Sequence, residues 1–250
     1  MKINDVKPLA LSSVMIMSIA LNMATATLVQ ANERPVISKE SATQPSAKSV
    51  LMAKLANVDF FSAKFTQTVL SDSGELLEQS AGELAISKPN LANWHTTEPD
   101  ELAIISDGQD VWFYNPWIEQ VSVYSLSAAI AKTPILLLTS KDESLWQQYS
   151  VIQKNTVTQT KANSKQSANA NNDESFVISA IDENSQIKSL TLIFDSKNKG
   201  GKLKQFSFLD ATGQLSHIKL TGFDDQQTPT ASLFKFVLPE GVQVDDQRAN

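Results

Sequence analysis

The chain has 250 residues, 42% of them hydrophobic and 19% charged, a mixture that builds a core and excludes both a disordered polyelectrolyte and an all-apolar membrane bundle. Its formal charge of −6, from 21 Lys and Arg against 27 Asp and Glu, argues against nucleic acid as a partner, since phosphate-backbone binding needs clustered positive charge. The absence of Cys excludes disulfides, thiolate nucleophiles and thiolate metal sites, leaving two His and scattered carboxylates for any metal.

In chain order, Lys2 and Lys7 flank the start of an apolar run over residues 9–21, closed by small residues at Ala24-Thr25-Ala26 and again near Ala31. That is the pattern of a secretory signal peptide over residues 1–31, cut after Ala26 or Ala31. Ser12, Ser13, Ser18 and Asn22 interrupt the run, which falls short of the ~20 apolar residues of a membrane span. No Cys follows for acylation, so the exported product is predicted to move freely in its compartment. Residues 32–46 hold two Pro among polar residues and read as a flexible leader, and 47–250 as a single domain.

Val50, Leu51, Ala53, Leu55 and Val58 predict a short helix over 47–58. Alternation then takes over: Leu84 and Ile86; Leu190, Leu192 and Phe194; Phe234, Phe236 and Leu238, each set spaced by two, predict antiparallel strands. Turn signals at Asp72-Ser73-Gly74, Asp107-Gly108, Lys199-Gly200-Gly201 and Thr212-Gly213 fit a meander of hairpins. Two segments break it. Residues 158–174 contain nothing to bury and read as a mobile hairpin loop without a function. Within 125–140, Ala128 to Ala131 favour helix, and Thr133-Pro134 reads as an N-cap followed by Pro at the first helical position. The body of that second helix, Ile135-Leu136-Leu137-Leu138, is apolar on every side, which fits either a buried core helix or a cover over a ligand.

Catalytic signatures are missing. Neither His95 nor His217 stands in a zinc-binding spacing, and the chain has no nucleophile elbow, P-loop or dinucleotide fingerprint. Asp245-Asp246 alone falls short of the about six to eight oxygens that calcium takes. No metal and no cofactor are expected.

The segments Pro89-Asn90-Leu91-Ala92-Asn93-Trp94, Ser106-Asp107-Gly108-Gln109, Val111-Trp112-Phe113-Tyr114-Asn115-Pro116, Ile118-Glu119-Gln120, Thr133-Pro134, Trp146-Gln147-Gln148-Tyr149, Pro239-Glu240-Gly241-Val242 and Val244-Asp245-Asp246-Gln247-Arg248 occur in order from about Ser49 to Arg248. Together they resemble the LolA family of outer-membrane lipoprotein carriers. The resemblance implies a mainly β fold, an unclosed antiparallel β-barrel whose concave apolar face is covered by a short-helix lid. It implies a monomeric, non-enzymatic chaperone of the periplasm. Its cargo would be acylated lipoproteins released from the inner membrane by an ABC transporter and delivered to the outer-membrane receptor LolB.

Under that resemblance Trp94, Pro134, Ile135, Leu136 and Leu138 are the expected residues of an acyl-chain cavity and its lid, with Trp94 either a cavity floor or a plug at one barrel end. Family members carry an Arg before the Pro-Asn motif that bonds the lid; Lys88 stands there, and a compact ammonium cannot reproduce a planar five-donor fork. A weaker closed state or a different bonding pattern is therefore expected of this latch position. Ala92 occupies a position where relatives place an aromatic on the rim used for handover to a partner. Two other classes compete with the carrier: a half-barrel lipid or lipoprotein sensor, which would normally carry a second domain, and an exported hydrolase, for which no residue pair stands out.

Overall fold

The computed structural model describes residues 45–130, 132–155, 173–195 and 201–248. The expected signal peptide, most of the leader, positions 158–172 of the expected loop and the Lys199-Gly200 pair lie outside them. The elements are α1 (Ala47–Ala56), β1 (Phe60–Leu70), β2 (Leu76–Ser87), β3 (Leu91–Glu98), β4 (Leu102–Asp107), β5 (Asp110–Asn115), β6 (Gln120–Ser125) and α2 (Leu126–Ile130). A 3-10 turn, Pro134–Leu138, and α3 (Glu143–Trp146) lead to β7 (Tyr149–Asn155), β8 (Glu174–Ala180), β9 (Ile187–Phe194), β10 (Leu203–Asp210), β11 (Leu215–Asp224) and β12 (Gln243–Asp246).

All twelve strands form one sheet in the order β12, β6, β5, β4, β3, β2, β1, β11, β10, β9, β8, β7. Two meanders, β1 to β6 and β7 to β11, join where β1 pairs with β11; among the described residues only β12 runs parallel to its neighbour, β6. Among the described residues β7 and β12 each pair on one side alone, so the sheet is not closed. Among the described residues the turns at Gly74, Gly108 and Gly213 form as their residues dictate. At Asp107-Gly108 the carboxylate accepts the Gln109 and Asp110 N–H groups at 2.9 and 2.8 Å, and Gly108 takes a φ of 97°.

The sheet is strongly curved. In a flat sheet β3 and β10 would lie about 19 Å apart, four strand spacings. Instead Trp94 of β3 meets Phe206 of β10 edge to face, with ring centroids 6.1 Å apart. Gly82 of β2 makes room for this. In register it lies between Phe65 and Thr96, beside a slip in the β2–β3 pairing. The Phe65 ring approaches Trp94 to a centroid distance of 4.1 Å, and a Cβ at Gly82 would lie 2.8 Å from that ring and 2.0 Å from the His95 carbonyl oxygen.

The concave face holds the main core, in which Leu51 and Leu55 of α1, Trp146 of α3 and residues 135–138 join the inward residues of β1, β2, β3, β8, β9, β10 and β11. The convex face carries a second apolar layer. Val121 and Val123 share register with Tyr114 and Trp112, and Phe236 stacks on Trp112 at 5.3 Å and leans on Tyr114 at 5.5 Å. The C-terminal segment thus straps this face before β12 joins the sheet edge. The strand expected over Phe234, Phe236 and Leu238 is corrected here. Phe234 ends a 3-10 turn, Ala231–Phe234, and no ladder follows until Gln243. Alternate residues face one surface because they lean on the sheet, not because they belong to it; Val237 is 80% exposed.

Candidate functional site

Residues 135–138 lie against the concave face in a turn that begins with Pro at its first position. That turn is 3-10 rather than α. Leu136 N–H donates to Thr133 O at 3.0 Å and Thr139 N–H to Leu136 O at 3.1 Å. The Thr133 side chain makes no cap bond, contrary to expectation, because its backbone (φ −132°, ψ 80°) departs from the extended geometry of an N-cap. A short 3-10 turn has poor hydrogen-bond geometry, so its side chains, not its ladder, hold it in place. Ile135, Leu136, Leu137 and Leu138 are at most 4% exposed. Its far end is tied down: the Thr139 hydroxyl donates to Leu136 O at 2.7 Å, Asn90 N–H donates to Thr139 O at 3.2 Å, and the Ser106 hydroxyl donates to Asn90 O at 2.6 Å.

Beside this segment lies a hollow of about 540 Å³ whose apolar wall is built by Trp94, Ile104, Phe113, Ile135, Phe206 and Phe208. Polar side chains, among them Glu78, Asp100, Glu101 and Lys132, stand around it. Trp94 lines the hollow while filling the space between Phe65 and Phe206, and its indole N–H donates to Thr96 Oγ1 at 3.1 Å. Ile135 lines the hollow too, whereas Leu136 and Leu138 are buried in the adjoining core without lining it. A second cleft, about 580 Å³, is bordered by Gln147, Gln148, Asp182 and Asn184 together with Ala128, Tyr149, Ala180 and Ile181.

Lys88 bonds differently from the expected latch. Its ammonium donates to Leu55 O at the end of α1, where a cation meets the negative end of the helix dipole. Burial pushes its pKa below 10.5, nearby Asp59 opposes that shift and Lys141 adds to it. The bond that ties the lid end to this turn comes from the neighbouring backbone, Asn90 to Thr139. Ala92, expected on a partner-facing rim, is 3% exposed, since strand alternation turns it to the concave side with Trp94 and Thr96. The spacing of Phe206 and Phe208 by two reports a shared strand face, but nothing in the sequence reports that β10 meets Ile104 of β4 and Phe113 of β5 at one hollow. Among the described residues no group of three metal ligands assembles. His95 pairs at the surface with Glu101 at 3.0 Å. No described helix is long and apolar enough to cross a membrane.

A family model described as outer membrane lipoprotein carrier protein LolA matches residues 56–237. The outer-membrane lipoprotein carrier protein of Aeromonas salmonicida is 36% identical over 202 residues, covering 81% of this chain and 90% of that protein. That of Haemophilus influenzae strain Rd is 38% identical over 202 residues, covering 81% and 88%. Among solved structures, a LolA superfamily protein from Nitrosomonas europaea superposes with a TM-score of 0.42 at 15% identity, covering 77% of this chain and 98% of that one.

Proposed function

This chain belongs to the LolA family and is a carrier of lipoproteins, and we propose that it holds their acyl chains in the hollow beside residues 134–138 while they cross the periplasm. The observation that carries this reading is the apolar hollow walled by Trp94, Phe206 and Ile135, the last contributed by a segment held by side-chain burial. Exposed acyl tails cost ~0.8 kcal/mol per methylene in water, so a multiply acylated protein needs a cover to travel. Burial of Ile135 to Leu138 is worth roughly 6–12 kcal/mol. About 8–15 methylenes entering the space that these side chains vacate would offset it. Cargo therefore trades places with the lid at small net cost, and the same balance lets it leave.

Donor and acceptor follow from the family reading: an inner-membrane ABC transporter loads the carrier and LolB receives from it. Lys88 serves the latch indirectly, by fixing α1 to the strand end whose turn holds Thr139. No step of this cycle makes or breaks a covalent bond in the cargo. The test is displacement of an environment-sensitive apolar dye from the purified protein. A diacylated lipopeptide is expected to displace it and the same peptide without its acyl chains to leave it bound; displacement by neither would overturn the reading.

A further inference from the structure

Two buried side-chain polar atoms among the described residues lack a hydrogen-bond partner in the protein, Asn90 Oδ1 and Trp146 Nε1. Asn90 touches the end of the roofing segment, and Trp146 shares the apolar core with it. Asn90 holds Thr139 through its backbone, and Trp146 ends α3, the element that follows the segment. Unpaired buried groups are uncommon in folded proteins and ask for an explanation. Trp146 is the sharper case. It is 1% exposed and lies in the same apolar cluster as Ile135 to Leu138, while the Lys48 ammonium of α1 fixes its backbone carbonyl.

An indole N–H is a donor and nothing else, and a phenyl ring would fill most of the same space without burying a polar group. A donor enclosed by apolar side chains gains an acceptor only when that cluster rearranges. The rearrangement that carrying requires is replacement of residues 135–138 by the tails of the cargo. Those tails arrive with their linkages, and the ester carbonyls that join fatty acids to a glyceryl group are acceptors without donors of their own. Resting on the carrier reading above, we infer that the Trp146 indole N–H binds an ester carbonyl of the acylated cargo when the lid is displaced. The residue left unsatisfied in the empty protein thereby becomes a specificity determinant, favouring acyl over plain alkyl chains.

The experiment is a cycle of two changes: Trp146→Phe in the protein, and ester to ether in a soluble diglyceride-type lipopeptide of equal chain length. The unsubstituted protein should bind the diacyl peptide about fivefold more tightly than the dialkyl one, the worth of one neutral hydrogen bond. In Trp146→Phe the two should bind alike, with the dialkyl affinity little changed and the empty protein no less stable. An ester preference that survives in Trp146→Phe, or one that is absent from the unsubstituted protein, overturns the inference. Should Trp146→Phe not fold, the indole ¹H–¹⁵N resonance of Trp146 in the unsubstituted protein decides: a downfield proton shift with the diacyl but not the dialkyl peptide supports the bond, and equal shifts refute it. Failure of both peptides to bind would instead strike the carrier reading itself and take the inference with it.

Discussion

Lys88 illustrates how one side chain's surroundings set its behaviour. The position was legible from sequence as a cation before Pro89-Asn90, but its partner was not, because Leu55 O lies 33 residues away and is brought near only by the packing of α1 against the sheet. With the folded pKa held below 10.5 by burial, the native state binds fewer protons than the unfolded chain between the two values, so this group makes stability rise with pH across that window. Tyr149, whose pKa burial raises above 10.0, works the other way, its contribution fading as pH climbs through and beyond that value. Lys88→Met should therefore lose the rise that Lys88 contributes while keeping the Tyr149 decline. Urea unfolding of both proteins from about pH 8 to 10 reads this as a flatter slope in the variant. Parallel curves would show that the ammonium is not buried at any cost.

The proposed function rests on one element, Pro134–Leu138, as its lid. Its sequence announces much: Pro at its first position, four consecutive apolar residues and small-residue helix before it. The sequence left open a core helix or a cover; in the fold Leu136 lies in the core and Ile135 borders the hollow. Leu136→Ala should cost about 2–5 kcal/mol in unfolding free energy. Because it weakens the closed state, it should also raise the affinity for an apolar dye. Denaturation and dye titration on one preparation check both. A residue that merely filled core would give the first effect without the second, and that pairing would remove Leu136 from the lid.

Across the whole molecule, a curved sheet with two apolar faces needs two covers, and the chain supplies them from separate regions. Residues 126–130 and 135–146 lie on the concave side and 231–236 strap the convex side, where Asn93 Nδ2 donates to Leu233 O at 2.6 Å. Beyond the strap Arg248 bridges Asp246 and Asp110, clasping β12 beside β5 and β6. The Arg248 guanidinium holds Asp246 down to about 2, so whatever the clasp adds is complete above 3.8 and fades as pH falls from there towards that value. Phe236→Ala should loosen the strap selectively. Amide exchange in β6 and β12 is expected to quicken by about tenfold or more with β1 and β2 unchanged, as measured by mass spectrometry. Uniform acceleration would instead mean that the strap and the barrel unfold as one unit.

Local chemistry settled what local sequence can encode: α1, the turns at Gly74, Gly108 and Gly213, the alternation of Leu84 with Ile86 and of Leu190, Leu192 and Phe194, and the break at Pro134. Residues two or four apart report which side of an element is apolar. They do not report what that side meets. The pairing of β1 with β11, the approach of Trp94 to Phe206 across four strand spacings, the need for Gly82 beneath them and the unpaired indole of Trp146 all depend on contacts between residues far apart in the chain. For the same reason Phe234, Phe236 and Leu238 imitate a strand. Contact with a sheet imposes the same alternation as membership of one, and only the path of the chain in three dimensions distinguishes the two.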